Sequence, residues 1–331
     1  MIEFEKEEAV PLTSIQVIGV GGAGGNAINS MIESGYKNIK FIAANTDAQA
    51  LKESKAHETI QLGVKSTKGL GAGANPEIGR RAAEEDLDKV VESCQKADIV
   101  FITAGMGGGT GSGASAVIAK ALKEKGILTV GIVTKPFIFE GKRRAKIAEE
   151  SIERLSKAVD TLIVMPNQKL IETVGKDVSM INAFKMINEI LNKSVRGISD
   201  IITRPGHINV DFADLQAIMK DQGIAVMGAG KGSGPNRARE AALDAITSPL
   251  LENMNVDGAQ AVLLNITGGP DLGLHEIHEA ASMIYEQADE NANIIIGSVI
   301  DKEMKDEIHV TIVATGFAKK IETQELNSDG I

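Results

Sequence analysis

The sequence predicts an α/β protein with a doubly wound parallel sheet, a long central helix and a smaller α/β domain. Three observations support this fold class. Short apolar runs rich in Ile and Val alternate with amphipathic stretches in the first half, an unbroken helical pattern follows, and strands and helices alternate again toward the end. Strands that are buried on both faces of a parallel sheet have such continuous apolar runs.

The first half contains five predicted strands. They are the segments SIQVIGV, KFIAAN, ADIVFITA, ILTVGIV and DTLIVMP. Amphipathic stretches lie between them, and the one at 76–97 begins with Pro76, a residue favoured in the first turn of a helix. We expect this doubly wound domain to cover residues 12–178.

One long helix is predicted next, over residues 179–204. Met180, Phe184, Ile187, Leu191 and Val195 recur at spacings of three and four, which places them on one face of a helix. The dipeptide at 205–206, Pro-Gly, ends the pattern. A helix of this length can pack on the domains at both of its sides.

The smaller domain is predicted over residues 205–317. Its strands are IAVMGAG, AQAVLLNITG, ANIIIGSVI and EIHVTIVAT, and the helices NRAREAALDAI and LHEIHEAASMIYEQAD lie between them. The polar tails at 1–11 and 318–331 are predicted to be disordered.

Composition argues against several classes of function. The net charge of −10, the absence of Trp and the two Tyr residues argue against binding to nucleic acid. A single Cys excludes an internal disulfide. The acidic N-terminus differs from a signal peptide, and no apolar run approaches the length of a membrane span. We therefore expect a cytoplasmic protein without direct membrane insertion.

Two glycine clusters each follow a strand and begin a helix. The first, GVGGAGGNA at 19–27, fits the G-x-G-x-x-G pattern of a Rossmann-like domain, with Asp47 after the next strand. Taken alone, this pattern is also compatible with an NAD-dependent oxidoreductase. The second, GMGGGTGSG at 105–113, has no role in a dinucleotide domain. Two helix N-termini in one sheet can bind one polyphosphate from two sides.

The phosphate site predicted from these loops differs from a P-loop. No G-x-x-x-x-G-K-[ST] motif occurs in the sequence, so backbone N–H groups replace the lysine. Six glycines in nine residues suggest that something approaches the backbone closely. A third segment, KGLGAGANPE at 68–77, also precedes a helix.

An acidic pair, Asp211 and Asp214, lies at the start of the predicted helix FADLQAIMKDQG. The spacing of three is typical of a capping box, in which the pair is structural. Two carboxylates are also suited to phosphoanhydride hydrolysis, which needs positioning and charge stabilisation. The residues alone leave both interpretations open.

The segment GGGTGSG at 107–113 resembles the signature of the tubulin/FtsZ family of GTPases. Further segments favour the FtsZ branch of that family: GVGGAGGNA, NTD, GAGANPE, KPFIFEGKRR and RPGHINVDFADL. The resemblance extends in order over about residues 12–317. It implies a GTPase that binds GTP or GDP with Mg²⁺, polymerises head to tail and forms the cell-division ring.

The resemblance also implies specific binding residues. The phosphates are expected to contact Gly21, Gly22, Asn26, Gly73, Ala74, Asn75, Gly107, Gly108, Gly109, Thr110 and Gly111. The ribose and phosphate loop is expected to contain Thr134, Pro136, Glu140 and Arg144. The guanine site is expected to contain Asn167, Phe184 and Asn188, with Phe184 stacked on the base. Without the resemblance, Phe184 is also compatible with a core position.

In such a family member, Asn209, Asp211 and Asp214 act on the nucleotide of the neighbouring subunit and orient the attacking water. A non-hydrolysing nucleotide-binding scaffold is the remaining alternative, and the presence of both acids argues against it. The expected partners are further copies of the chain, division proteins and membrane tethers at the division site. The family usually has a long linker and a C-terminal docking peptide. Neither is found in this sequence, so we expect this chain to lack the docking peptide for membrane tethers.

Overall fold

The structure is a computed structural model, and it describes residues 13–36, 38–173, 178–204, 206–248 and 258–317. The predicted tails and Pro205 lie outside the described residues.

The first half of the chain folds into a parallel six-stranded sheet with helices on both faces. The strands are β1 (Ile15–Val20), β2 (Ile39–Asn45), β3 (Glu58–Gln61), β4 (Ile99–Gly105), β5 (Leu128–Lys135) and β6 (Thr161–Pro166). Their order in the sheet is β3-β2-β1-β4-β5-β6. Every residue of β1 is buried, as its continuous apolar run predicts.

The helices of this half are α1 (Gly21–Glu33), α2 (Ala48–Lys52), α3 (Val64–Thr67), α4 (Pro76–Glu85), α5 (Leu87–Cys94), α6 (Thr110–Glu124), α7 (Lys142–Ser156) and α8 (Asn167–Thr173). A short 3-10 helix, Ile138–Glu140, precedes α7.

Two features differ from the prediction. The strand β3 was not predicted because ETIQ is polar, and Ile60 is its one buried residue. The amphipathic stretch at 76–97 forms two helices that meet at Asp86. The Asp86 carboxylate accepts a hydrogen bond from the Gly63 N–H (2.8 Å) and pairs with Lys89 (2.6 Å). This side chain therefore anchors the neighbouring loop at the junction of the two helices.

The central helix α9 (Met180–Thr203) is confirmed, with Ser179 as its N-cap. It packs on both halves of the molecule. On one side, the Tyr36 hydroxyl donates to the Asn192 carbonyl (2.6 Å). On the other, the Asn265 amide donates to the Gly197 carbonyl (2.9 Å), where a side chain at Gly197 would collide with Thr311.

The second half contains α10 (Phe212–Met219), β7 (Gly223–Ser233), α11 (Arg237–Ile246), β8 (Ala261–Gly268), α12 (Leu274–Tyr285), β9 (Asn293–Ile300) and β10 (Glu307–Thr315). The strand β7 joins the two halves. It pairs in parallel with β6 over three residues and antiparallel with β10 over eight. The result is one sheet of ten strands that continues in the order β6-β7-β10-β8-β9. The predicted division at 12–178, 179–204 and 205–317 stays a prediction.

Candidate functional site

A cavity of about 490 Å³ lies where the strand order of the parallel sheet reverses. The chain leaves β1 toward β2 on one side, whereas β4 lies on the other side of β1. Ligands of doubly wound proteins bind outside the carboxyl ends of the strands at such a switch point. The two glycine clusters follow β1 and β4, so both of them reach this cavity.

Most of the predicted nucleotide-binding residues line the cavity. They are Gly21, Gly22, Asn26, Gly108, Gly109, Thr110, Gly111, Thr134, Pro136, Glu140, Arg144, Asn167, Phe184 and Asn188. Gly107 and the segment 73–75 do not line it. Among the lining residues that the structure describes, Arg144 is the one cation. This agrees with a phosphate site that consists mainly of backbone N–H groups.

The helices α1 and α6 begin at the cavity with uncapped N-termini. The N-cap residues are Val20 and Gly109, and neither supplies a side-chain hydrogen bond. The first N–H groups of a helix lack partners within the helix, and its dipole favours an anion at this end. The two helices therefore present N–H groups to a ligand from adjacent strands.

The glycines of the 105–113 segment differ in their surroundings. A Cβ atom at Gly109 would lie 2.7 Å from the Ala72 Cβ, and one at Gly111 would lie 2.6 Å from the Gly105 carbonyl oxygen. At Gly113 it would overlap the Pro76 carbonyl oxygen. Of the six glycines, only Gly108 has open space for a Cβ atom. Other parts of the protein therefore approach five of the six glycines closely, and Gly108 is the one with space for a ligand.

Internal hydrogen bonds fix the shape of the same segment. The Gly107 N–H donates to the Ser112 hydroxyl (2.8 Å), and Gly107 is buried and does not line the cavity. The hydroxyls of Thr46 and Thr110 share a hydrogen bond of 2.6 Å. Sequence reasoning did not identify this role for Thr46, although it lies in the quoted segment NTD. The bond connects the end of β2 to the start of α6.

The third glycine segment lies beside the cavity rather than on its wall. Gly73 and Ala74 have left-handed backbones, with φ of 57° and 56°. Asn75 caps α4 by accepting from the Glu77 N–H (3.0 Å). A Cβ atom at Gly109 would lie 3.0 Å from the Asn75 nitrogen, so this segment borders the second glycine cluster. Binding of a nucleotide by residues 73–75 stays a prediction.

The other end of the cavity contains an aromatic ring and two amides. The Phe184 ring is 42% exposed, so its alternative assignment to the core is wrong. The Phe184 and Phe137 rings are nearly perpendicular, with a centroid distance of 5.7 Å. Asn188 lies one helical turn after Phe184, and Asn167 begins α8. A flat ring next to two amides is suited to a planar base with polar edges.

An ion pair lies between these two ends of the cavity. Arg144 pairs with Glu140, and the Glu140 carboxylate also accepts from the Phe137 N–H (3.0 Å). The pair connects the start of α7 to the 3-10 helix. It places one cation and one hydrogen-bond acceptor on the cavity wall, which Thr134 and Pro136 also line. Contact of these four residues with a ribose and a phosphate stays a prediction.

The acidic pair forms the predicted capping box. The Asp214 N–H donates to the Asp211 carboxylate (2.8 Å), and the Asp211 N–H donates to the Asp214 carboxylate (3.2 Å). The Asn209 side chain accepts from the Gly206 N–H (3.0 Å). All three of Asn209, Asp211 and Asp214 are exposed. The capping interpretation is therefore confirmed, and both carboxylates still reach solvent.

The acidic pair is far from the cavity. Phe184 and Asn188 lie near the start of α9, whereas the acids follow its end at Thr203. At 1.5 Å per residue, Asn188 and Thr203 are separated by about 22 Å along the helix. The far end of α10 also contacts the amino end of β6, where the Thr161 hydroxyl donates to the Met219 carbonyl (2.5 Å). The cavity lies at the carboxyl end of the same strand.

The described residues contain no group of three His, Cys, Asp or Glu side chains that could hold a metal ion. Mg²⁺ is commonly bound by substrate phosphates, waters and one or two protein oxygens. The donor set of the cavity fits an ion that arrives with a nucleotide. In the described part of the chain, no helix is long and apolar enough to cross a membrane.

The switch-point cavity, the two glycine clusters and the long central helix agree with the resemblance to tubulin-like GTPases. The GTPase domain of the Tubulin/FtsZ family matches residues 14–175, and the C-terminal domain of the FtsZ family matches residues 223–318. The chain therefore belongs to the FtsZ family of cell-division GTPases.

Individual relatives agree with this assignment. The chain is 54% identical to Cell division protein FtsZ of Pseudomonas putida over 96% of its own length and 80% of the relative. The FtsZ of Pseudomonas aeruginosa is also 54% identical, with 96% and 81% covered. A solved FtsZ dimer of M. jannaschii superposes with a TM-score of 0.89 at 43% identity, with 95% and 91% covered. The alternative of an NAD-dependent oxidoreductase is not supported.

Proposed function

We propose that this protein forms head-to-tail filaments in which each GTP is bound by one subunit and hydrolysed with the acids of the next. The supporting observation is the distance between the two sites, because the cavity and the acids lie at opposite ends of α9. One chain cannot bring its own acids to its own cavity. A second copy, stacked end to end, brings its acids to the cavity of the first.

In the binding half of this site, the N–H groups at the starts of α1 and α6 hold the phosphates. Phe184 stacks on the guanine, and Asn167 and Asn188 bind its polar edge. Thr134, Pro136, Glu140 and Arg144 contact the ribose and the neighbouring phosphate. Gly73, Ala74 and Asn75 close on the terminal phosphate from the side of Gly109.

In the catalytic half, Asn209, Asp211 and Asp214 orient the water that attacks the terminal phosphate. A Mg²⁺ ion that arrives with the nucleotide would supply charge neutralisation when bound. The capping box is compatible with this role, since each carboxylate has two oxygens and the cap engages one of them. The same hydrogen bonds fix the orientation of both acids before the subunits meet.

Assembly of this kind is open-ended. The contact joins two different surfaces of the chain, and such a heterologous contact produces a filament unless its rotation closes a ring. Hydrolysis removes the terminal phosphate from the contact and weakens it. We further propose that these filaments form at the division site in the cytoplasm, together with division proteins and membrane tethers.

Phe184→Ala is expected to weaken binding of GDP by about 10-fold to 100-fold, because stacking of a base on an aromatic ring is worth roughly 1–3 kcal/mol. The measurement is a titration of monomeric protein with fluorescent GDP. Ile181→Ala is the matched control, since Ile181 is an exposed apolar residue on the same turn of α9 and does not line the cavity. Equal affinity of Phe184→Ala and wild type would exclude the stacking role.

The rate of GTP hydrolysis per molecule, measured against protein concentration in Mg²⁺, tests the split site directly. We expect a rate near zero at low concentration and a rise above a threshold, because the site is completed between subunits. A rate per molecule that is independent of concentration would show that one chain contains the whole site.

A further inference from the structure

The acidic loop, residues 206–214, is attached to the edge strand β9 at several points. Ser298 on β9 exchanges two hydrogen bonds with Ile208. The Ile208 N–H donates to the Ser298 hydroxyl (2.9 Å), and the Ser298 N–H donates to the Ile208 carbonyl (3.0 Å). Both backbone polar groups of Ile208 are therefore bound by one residue of β9.

Close packing holds the acidic loop on both sides of Ile208. A Cβ atom at Gly206 would overlap the Ser298 carbonyl oxygen, so the backbone of the loop lies directly on the strand there. Val210 is 5% exposed, and its side chain would lie 3.1 Å from a Cβ atom at Gly297. The loop thus contacts β9 from Gly206 to Val210, immediately before the capping box.

The end of α9 is fixed to the same strand terminus. The Arg204 guanidinium donates to the Asp301 carboxylate (2.8 Å) and lies 3.4 Å from Asp200. The Arg204 ion pairs and the hydrogen bonds of Ile208 with Ser298 therefore hold the chain before and after position 205. The hydrogen bonds of Ile208 are closer in sequence to Asn209 and the acids.

We propose that the buried Ser298 hydroxyl positions the catalytic acids, by holding the acidic loop on β9 so that Asn209, Asp211 and Asp214 face the nucleotide of the neighbouring subunit. Ser298 is 1% exposed and touches neither the cavity nor the acids. It acts through the Ile208 backbone. This inference rests on the proposed split site.

Loss of the hydroxyl removes one of the two hydrogen bonds to Ile208 and leaves the backbone bond in place. Small displacements of catalytic groups reduce rates strongly, and about 1 Å can cost up to roughly 100-fold. We expect Ser298→Ala to lower GTP turnover in the polymer by about 10-fold. Affinity of the monomer for GDP should be unchanged, because the cavity lies at the other end of α9.

The test compares Ser298→Ala with Ser194→Ala. Ser194 is fully buried in α9, and its hydroxyl donates only to the Ile190 carbonyl of its own helix (2.8 Å). The control should keep wild-type turnover. Equal turnover of the Ser298 and Ser194 variants would overturn the proposal. A loss of GDP affinity in Ser298→Ala would also overturn it, since it would indicate a general structural effect.

Mixed filaments identify the side of the contact on which Ser298 acts. Asp214→Ala supplies an intact cavity without a functional acidic loop, and Gly108→Asp supplies the loop without a functional cavity. Turnover should rise when Ser298→Ala is mixed with Gly108→Asp. The intact acidic loops of Gly108→Asp then complete the intact cavities of Ser298→Ala. Mixed with Asp214→Ala, Ser298→Ala should show no gain. A gain in both mixtures, or in neither, would contradict a role in the acidic loop.

The two proposals fail in different ways. If Asp214→Ala mixed with Gly108→Asp shows no turnover, the split site itself is wrong. If that mixture is active and Ser298→Ala matches wild type, only the positioning role is wrong. Should Ser298→Ala not fold, Ser298→Cys replaces the hydroxyl by a thiol, a weak acceptor of similar shape, and the same measurements apply.

Discussion

Asp214→Ala is expected to reduce GTP turnover by at least about 100-fold, with GTP affinity within roughly twofold of wild type. Removal of one group that stabilises a transition state costs about 100-fold to 1,000-fold. The cavity that binds the nucleotide is at the other end of α9, so binding should not change. Filaments should persist longer, because the terminal phosphate that strengthens the contact is retained. Turnover, nucleotide titration and sedimentation measure the three effects.

The capping box makes a second variant necessary. Asp214→Ala also removes the acceptor of the Asp211 N–H, and one such hydrogen bond contributes about 1 kcal/mol. Asp214→Asn keeps an acceptor oxygen and removes only the charge. If it is also inactive while its thermal stability matches wild type, the carboxylate is needed for hydrolysis. Normal turnover in Asp214→Asn would show that the acid is structural only.

Gly108→Asp is expected to weaken GTP binding by more than about 100-fold with little change in thermal stability. A Cβ atom at Gly108 has open space, so the fold accommodates it. The new carboxylate then lies among the N–H groups that would bind phosphate. It competes for them and repels the anion, and such repulsion is strong in a partly enclosed site. Titration with fluorescent GTP and thermal unfolding measure the two effects.

Gly113→Ala is the matched control in the same segment. Its Cβ atom would overlap the Pro76 carbonyl oxygen and lie 2.6 Å from the Arg80 nitrogen, between α6 and α4. We expect a loss of stability of roughly 1–3 kcal/mol from overpacking, and normal affinity in the protein that remains folded. If Gly108→Asp binds GTP normally, the second glycine cluster is not the phosphate site.

Local sequence patterns predicted most of the elements. The strands of the parallel half are buried on both faces, so their apolar runs predict them without ambiguity. The 24-residue helix follows from its three- and four-residue spacing. By contrast, the edge strand β3 has one buried residue and little apolar signal. The continuity of the sheet through β7 depends on which strands meet in space, and a local pattern does not contain that information.

In the candidate site, too, the local features were predictable from the sequence and the tertiary contacts were not. Glycine clusters after strands predict where anions bind, because that relation is local in sequence. Which glycine has space for a ligand is decided by tertiary contacts, such as those of Gly113 with the Pro76 carbonyl oxygen of α4 and of Gly107 with the Arg144 carbonyl oxygen of α7. The distance between the acids and the cavity depends on the full length of α9. The contact of Ile208 with Ser298 joins residues 90 positions apart and had no signal in the sequence.

Mixing Asp214→Ala with Gly108→Asp tests the split site most directly. Each variant alone should be inactive, one without the acid and the other without bound GTP. In an equal mixture whose subunits join at random, roughly a quarter of the head-to-tail contacts bring a Gly108→Asp loop to an Asp214→Ala cavity. We therefore predict GTP turnover in the mixture at a substantial fraction of the wild-type rate. A mixture as inactive as its two components would contradict the proposal that neighbouring subunits complete the site.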